Sequence, residues 1–451
     1  MAANAQLQSN LFYQTRQRRP LLGEARGIYI WDVDGNRYID GSSGAMVANI
    51  GHSNERVLDA MRSQMERATF GYRLHFENEP AETLARRTAE RMPPGLNRVF
   101  FVSGGSEAVE SAIKLARQYA LAIGEASRWK IISRFPSYHG STLGALALTG
   151  TATMSAPFSP MMREMPKIPA PTCYLDRDAL SHEERGLRYA EMLRSQIEMQ
   201  GPETVLAFIA EPIGGASTGA LVPPDSYHPR IREICDEYGI LLIHDEVMSG
   251  AGRTGRFLGS DHWGVAPDIV ALSKGFAAGY APLGAMVAHE QLVEPVLSKG
   301  GFIHGFTYAG NPLACAAGLA VLDEIERRDL IANASGKGEQ LKNELTALQD
   351  RFPFIGDVRG KGLLLAFELV ADRETMTPLS KELDAHIHLV EEAYGRGLII
   401  YSRRTRGGLS GDHFMVCPPL IVSEMQIGEI IGILTAALQA FARRFNLPVN
   451  G

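Results

Sequence analysis

Cysteine is scarce in this sequence of 451 residues, and the four that occur (Cys173, Cys235, Cys315 and Cys417) share no paired spacing. That argues against a disulfide framework and against the Cys/His spacings of a metal site, and it suits the reduced thiols of a cytoplasmic protein. An excess of charge of either sign is also missing: 45 Lys and Arg stand against 51 Asp and Glu, the net charge is −6, and the charges are scattered. No basic stripe offers a footing to nucleic acid or to a membrane surface. Uninterrupted apolar runs are short, and none approaches the roughly 20 residues of a bilayer-spanning helix. The longest glycine-rich apolar stretch, Gly275 to Ala288, is too punctuated. The opening MAANAQLQSNLFYQTRQRRP has no apolar core of a secretory leader. Tandem repeats and low-complexity linkers are absent. What remains is 45% hydrophobic and 21% charged, an ordinary globular balance in a chain long enough to bury a large core without staples.

The rhythm of the chain changes along its length. Ile28–Trp31 and Arg37–Ile39 alternate like strands around Asp34-Gly35, a hairpin signal. Glu55 to Met65 then has helical spacing. From about residue 80, short apolar runs alternate with amphipathic stretches. The runs are Val99–Val102, Lys130–Ser133, Val205–Ile209, Ile240–Ile243 and Ile269–Leu272; helices are predicted over Glu107–Leu121, Tyr227–Tyr238 and Cys315–Arg327. Continuous apolar strands between amphipathic helices predict an α/β fold with a mostly parallel sheet covered on both faces. A second, α+β pattern follows: helix Gly338–Gln349, strand Leu363–Leu369, helix Ala385–Gly395, strand Leu398–Tyr401 and helix Ser423–Phe445. The expected division is an N-terminal segment, 1–75, belonging to a small domain, a large domain over 76–334, and the rest of the small domain over 335–451.

Ligands of open α/β sheets bind beyond the carboxyl ends of the strands, and the informative residues fall there. After Val99–Val102 comes Ser103-Gly104-Gly105-Ser106 and at once a helix. Glycines admit an anion to the backbone, and a helix start offers free N–H groups and a positive dipole end. A phosphate fits this turn; so does a plain strand-to-helix connection with a serine cap. Strand Leu241–Ile243 runs into His244-Asp245-Glu246-Val247, an acidic pair that needs a cation nearby. Strand Ile269–Leu272 runs into Ser273-Lys274-Gly275 and a flexible Gly/Ala run. A lysine wedged between an apolar strand and small residues suits a depressed pKa and Schiff-base chemistry; alone, it would pass for a solvated loop lysine.

Together these pieces resemble the class III (ω-amino acid type) pyridoxal-phosphate aminotransferases of fold type I. The resemblance rests on VSGGSEAVESAIKLARQ, Tyr138-His139-Gly140, Glu211-Pro212-Ile213, LLIHDEVMSGAGRTGRF with PDIVALSKG, and HGFTYAGNPLACAAG, in that order over roughly residues 20–445. It implies a seven-stranded, mostly parallel sheet in the large domain and pyridoxal 5′-phosphate as cofactor, bound to Lys274. Asp245 would pair with the ring nitrogen, Val247 and Tyr138 would cover the two ring faces, and Gly105 and Ser106 would hold the phosphate. Thr307 would reach the phosphate of a neighbouring subunit, which implies a homodimer or a dimer of dimers. Glu211 would sit at the ring's edge. Many relatives carry a second hydroxyl where this chain has Gly104. The implied reaction is two-step, ping-pong transfer of an amino group from an ω-amino acid or amine to a 2-oxo acid, pyruvate or 2-oxoglutarate. A mutase, decarboxylase or lyase would use the same residues. A dinucleotide-binding oxidoreductase would need a third spaced glycine and leaves Lys274 unexplained; a cofactor-binding regulator would need a DNA-binding segment.

Several residues stay open at this level. His244 precedes Asp245 on a strand, so its side chain faces the other way, as a packed, hydrogen-bonded histidine. His139 supports the cofactor pocket or shapes its loop. Glu246 and Arg253 are expected to make structural hydrogen bonds near the site. Met46 lines the substrate pocket or is plain core. A substrate carboxylate wants a guanidinium that can swing away when the donor lacks that group. Arg403 and Arg404, on an expected flexible segment after strand Leu398–Tyr401, are the candidates, ahead of Arg406, with Arg73 in reserve; a solvated basic turn is the alternative.

Overall fold

Apolar runs can leave water only if their backbone polar groups pair, and here they pair in a seven-stranded sheet. The computed structural model describes residues 9–450, so most of the segment expected over 1–75 is described, while Met1–Gln8 of the stretch inspected for a leader lie outside. The strand order is Leu96–Val102, Gly284–His289, Ile269–Leu272, Leu241–Asp245, Val205–Ala210, Lys130–Phe135 and Lys167–Pro169. All neighbours are parallel except Gly284–His289, which runs antiparallel to both of its partners. Every residue of Val205–Ala210 and of Ile269–Leu272 is buried, because helices cover both faces. Ala207 and Ile209 face helix Gly105–Ala122 through Ala108, Ala112 and Leu115. Phe208 and Ala210 face helices His182–Gln200 and Tyr227–Tyr238 through Leu193, Ile231 and Ile234. The alternation is the period of two of a strand.

Two strands differ from expectation. Gly284–His289 lies within the stretch read as a flexible Gly/Ala run, yet it is a strand paired on both sides. Its glycine, alanines and methionine carry little intrinsic strand preference, and pairing with two neighbours overrides that. Lys167–Pro169 was not anticipated; three residues are too few for a pattern.

The hairpin is Tyr29–Asp32 with Arg37–Asp40, and the Asp32 carboxylate accepts from the backbone N–H groups of Asp34 (3.0 Å) and Asn36 (2.9 Å) across its turn. Leu398–Ile399 adds to it in parallel, so the two ends of the chain share one sheet. A third sheet has the order Ile355–Lys361, Leu364–Asp372, Asp412–Val416 and Tyr401–Arg404, with Thr377–Pro378 at its side. The run Leu398–Tyr401 therefore breaks at Ile400 and passes from one sheet to another. Arg403 and Arg404 are consequently strand residues, opposite His413 and Asp412, and the turn proper begins at Thr405. The helix expected over Gly338–Gln349 spans Leu330–Arg351.

The expectation that no segment is long and apolar enough for a membrane needs correcting. Helix Glu424–Phe445 has 22 residues, and an 18-residue window of it has a mean hydropathy of 1.4, sufficient by length and composition. Isolated polar residues such as Gln426 and Thr435 break its apolar run in the sequence without lowering the average below that level. Its Ile427, Ile430, Leu434, Leu438 and Phe441 are buried in one hydrophobic cluster with Leu341, Leu345, Leu365 and Phe367, which accounts for its apolar content. The four cysteines are all buried and unpaired.

Candidate active site

The parallel strands end along one edge of the sheet, and the expected residues gather there. Helix Gly105–Ala122 starts straight after strand Leu96–Val102, and Gly104 caps it without any side-chain hydrogen bond. The Glu107 carboxylate accepts from Ser103 N (2.7 Å), and the Ser106 hydroxyl accepts from Ser141 N (3.0 Å). A Cβ on Gly105 would lie 2.8 Å from Val247 Cγ1. Glycine at 105 is thus what lets Val247 lie across the helix start. A Cβ on Gly104 would meet nothing within 4 Å, so the missing second hydroxyl of this turn is not a steric requirement.

Asp245 ends its strand buried, with Oδ2 2.8 Å from His139 Nδ1 and Oδ1 accepting from Val247 N at 3.1 Å. The His139 backbone N–H donates to Thr149 Oγ1 at 3.0 Å. His139 therefore orients the Asp245 carboxylate as well as shaping its loop, and its Nε2 has no hydrogen-bond partner among the described residues. His244 points the other way and packs against His228, ring centroids 5.7 Å apart. Neither of its ring nitrogens is hydrogen-bonded among the described residues, against expectation, and burial pushes its pKa well below the usual value. The ring is neutral, and apolar packing replaces the expected hydrogen bond.

Glu211 follows strand Val205–Ala210. Its Oε1 accepts from Gly215 N (3.0 Å), its Oε2 has no partner among the described residues, and burial raises its pKa. Lys274 stands at φ +48°, in the left-handed region, which costs a β-carbon-bearing residue roughly 1 kcal/mol or more and is held by its surroundings. Burial lowers the Lys274 pKa to about 8, against the opposing pull of Asp245 and Glu211. A cavity of about 760 Å³ opens onto it, lined by Met46, Tyr138, Met248, Lys274, His386 and Arg403 among others. Arg404 also lines it, whereas Thr307 is exposed and does not. Met46, at φ +56°, both lines the cavity and packs with Ile213, Ala220 and Met415. Tyr138 OH lies 3.0 Å from Ser141 Oγ.

Glu246 and Arg253 serve as expected. Glu246 accepts from Gly259 N and Ser260 N, both at 2.8 Å, and from Ser249 Oγ. Arg253 is fully buried and donates to Ser43, Asn49 and Pro418. Met248, Ser217, Asp384 and His386 were not singled out in the sequence. They reach the cavity from loops and from the second α+β region, and no motif marks them.

These residues fit pyridoxal phosphate. An uncapped helix start with a side-chain-free Gly105 suits its phosphate, and a buried, histidine-held carboxylate suits a ring N–H. A lysine with its pKa near 8 holds far more free amine at neutral pH than one at the ordinary 10.5. Fold and site together define a pyridoxal-phosphate enzyme of fold type I.

The sequence profile "Aminotransferase class-III" matches residues 13–438. A putrescine–pyruvate aminotransferase of Pseudomonas aeruginosa is 35% identical over 430 residues, 94% of this chain and 91% of its own length. An (S)-enantioselective omega-transaminase from Thermomicrobium roseum superimposes with a TM-score of 0.90 at 38% identity, over 96% of each chain. A PLP-bound amine transaminase from an uncultivated Pseudomonas species gives 0.87 at 36%, covering 97% of this chain and 99% of its own. The chain belongs to the class III aminotransferases, and its cofactor is pyridoxal phosphate.

Lys274 gives the cofactor-free protein a definite pH signature. Its folded pKa, about 8, lies below the ordinary 10.5, so above pH 8 the unfolded chain binds the additional proton and stability rises with pH. Between pH 8 and 10.5 the parent should gain stability relative to Lys274→Met, and below pH 8 the difference should be flat. Chemical denaturation of the two apoproteins across pH measures this; parallel curves throughout would contradict the depressed pKa.

Proposed function

We propose that this enzyme moves an amino group from an ω-amino acid or simple amine to a 2-oxo acid, pyruvate or 2-oxoglutarate, by a ping-pong route. The observation that carries this is Lys274, its amine depressed to about 8 and opening on the cavity. The bound cofactor supplies a carbonyl that condenses with amines and a ring that withdraws electrons from the substrate carbon. Asp245, oriented by His139 and by Val247 N–H, would hold a proton on the ring nitrogen by opposite charge. Val247 and Tyr138 would flank the ring, and Gly105, Ser106 and the helix start would hold the phosphate. Lys274 Nζ would serve as the base and acid toward the substrate carbon. Glu211, held by Gly215 N–H, would bound the ring's edge. The Pseudomonas relative that uses a diamine supports an amine donor without an α-carboxylate. The four buried thiols suit a reducing compartment, and we place the reaction in the cytoplasm.

Of the two candidate arginines we choose Arg403 for the substrate carboxylate. Arg404 donates to Asp384 Oδ1 (2.6 Å) and Lys381 O (2.9 Å), so its charge is already matched. Arg403 has no carboxylate partner among the described residues and lies over the Tyr401 ring, 4.8 Å from its centroid. A cation parked on an aromatic face leaves it at modest cost. Arg406 donates to Met376 O (2.8 Å) and does not line the cavity. Arg73 sits over Phe100, 4.8 Å from its centroid.

We further propose a homodimer, or a dimer of dimers, in which Thr307 completes the partner's phosphate site. Phe70, Leu74, Phe76, Ile303 and Tyr308 are all exposed, from 46% to 85%, and Phe70 meets Tyr308 with centroids 6.1 Å apart. Exposed apolar side chains around the exposed Thr307 suit a surface that a second copy covers.

Lys274→Ala should bind the cofactor through its phosphate but lose turnover by at least about 10³-fold, the scale of a lost acid–base group and more; undiminished transamination would sink the assignment. Arg403→Ala should raise the Michaelis constant for a 2-oxo acid by about tenfold or more, the worth of a charged hydrogen bond, with little change for an uncharged amine. Arg404→Ala should show no such selectivity; steady-state kinetics with both substrates decides. Dilution followed by light scattering should show cofactor and activity leaving together with the dimer, and a fully active monomer would overturn the shared site.

A further inference from the structure

The same cavity holds a histidine that the reaction has not yet used. His386 is the second residue of helix Ala385–Tyr394 and lines the cavity together with Lys274 and Arg403. Its Nδ1 lies 3.0 Å from Oδ1 of Asp412, a carboxylate whose side chain is 3% exposed, but the pair is not aligned as a hydrogen bond and neither atom has another partner among the described residues. Two strand contacts fix where the ring stands. Ser402 Oγ donates to the His386 carbonyl at 2.5 Å, which ties the helix start to the residue beside Arg403. Asp412 is opposite Arg404 across the hairpin, and His413 opposite Arg403, so Asp412 and Arg403 sit on adjoining strands.

Charge decides what the ring presents to the cavity. Arg404 is engaged by Asp384 at 2.6 Å and comes no nearer than 3.9 Å to Asp412. The buried Asp412 carboxylate therefore lies nearer to His386 Nδ1 than to Arg404, within reach of a small rotation of the ring. With Nδ1 on the Asp412 side, the other edge of the ring, Nε2, is left to the cavity. A proton on Nε2 makes that edge a donor on the Arg403 side.

We infer that His386, beside Asp412, is a specificity-determining residue that donates from Nε2 to the carboxylate of the 2-oxo acid beside Arg403. The inference rests on the reading that this cavity takes such an acceptor, and it deepens that reading by adding a second donor on a different element. A planar carboxylate has lone pairs for both a guanidinium and an imidazole. Two donors from separate elements recognise the acceptor in one orientation, while an amine without a carboxylate makes no use of the second donor.

The test exploits the two ring nitrogens. Glutamine can place an N–H where Nε2 stood, and asparagine where Nδ1 stood. The holoenzymes His386→Gln and His386→Asn are compared for a 2-oxo acid, for an aldehyde acceptor of similar size without a carboxylate, and for the amine donor. The expected result is a Michaelis constant for the oxo acid about tenfold higher in His386→Asn, largely restored in His386→Gln, with the aldehyde and the donor within about twofold in both. Restoration by asparagine and not by glutamine would overturn the inference, because His386 would then serve only Asp412. Equal losses with oxo acid and aldehyde would overturn it too, as would no loss at all. If the histidine serves a distal ammonium of the donor, the donor's Michaelis constant moves and the oxo acid's does not. Arg403→Ala, measured alongside, separates this from the broader reading. If that variant is indifferent to the carboxylate, the pocket assignment fails; if it is selective and His386→Asn is not, only the present inference fails.

Discussion

Arg253 is a cation buried completely, with no carboxylate against it, and its hydrogen bonds tie three stretches of the chain to one point. Its Nη1 donates to Pro418 O at 2.6 Å and more weakly to Leu363 O and Cys417 O, and its Nη2 donates to Asn49 Oδ1 at 2.7 Å and to Ser43 Oγ at 3.0 Å. Burial lowers its pKa to about 10, which still leaves it charged. Its Nε alone has no partner among the described residues; the other donors are used, as a buried charge requires, and they tie together the amino-terminal segment, the large sheet's loop and the carboxyl-terminal sheet. Asn49 continues the link by donating to Ala251 O at 3.0 Å. It also sits so close to Gly275 that a Cβ there would come within 2.1 Å of its amide. The residue after Lys274 is thereby held against the amino-terminal segment that supplies Met46.

With the three stretches held, the cavity brings together side chains far apart in sequence. Met46, Tyr138, Lys274 and Arg403 come from four separate parts of the chain. Their electrostatics follow from depth. The Lys274 amine and the Glu211 carboxyl are both pushed toward their neutral forms by burial. Asp245 is instead held by a histidine and a backbone N–H. One edge of a sheet thus carries an easily deprotonated amine beside a fixed carboxylate, the pairing that amine chemistry on a pyridinium ring requires.

Much of this was legible beforehand. Strong apolar runs such as Val205–Ile209 announced central strands because burial on both faces leaves no room for polar alternation. The glycine turn, the acidic residue and the lysine were legible because each follows such a run. Less legible were elements whose identity depends on neighbours: strand Gly284–His289, built from small residues, and the break at Ile400 that sends Leu398–Ile399 and Tyr401–Arg404 to different sheets. The hydrogen bond expected for His244 does not form, because helix Tyr227–Tyr238 brings His228 against its ring.

By itself the sequence determined the local chemistry: which residues stand at strand ends, which turn is free of side chains, and which lysine follows an apolar strand. These are properties of a few consecutive residues, set by strand period, helix start and glycine. Only the tertiary structure decided the partners of those residues. His139 meets Asp245 across 106 positions, and of the two neighbouring arginines it is Arg404 that Asp384, 20 positions away, has matched. Whether a cation is matched or available depends on distance in space, and no spacing along the chain records that.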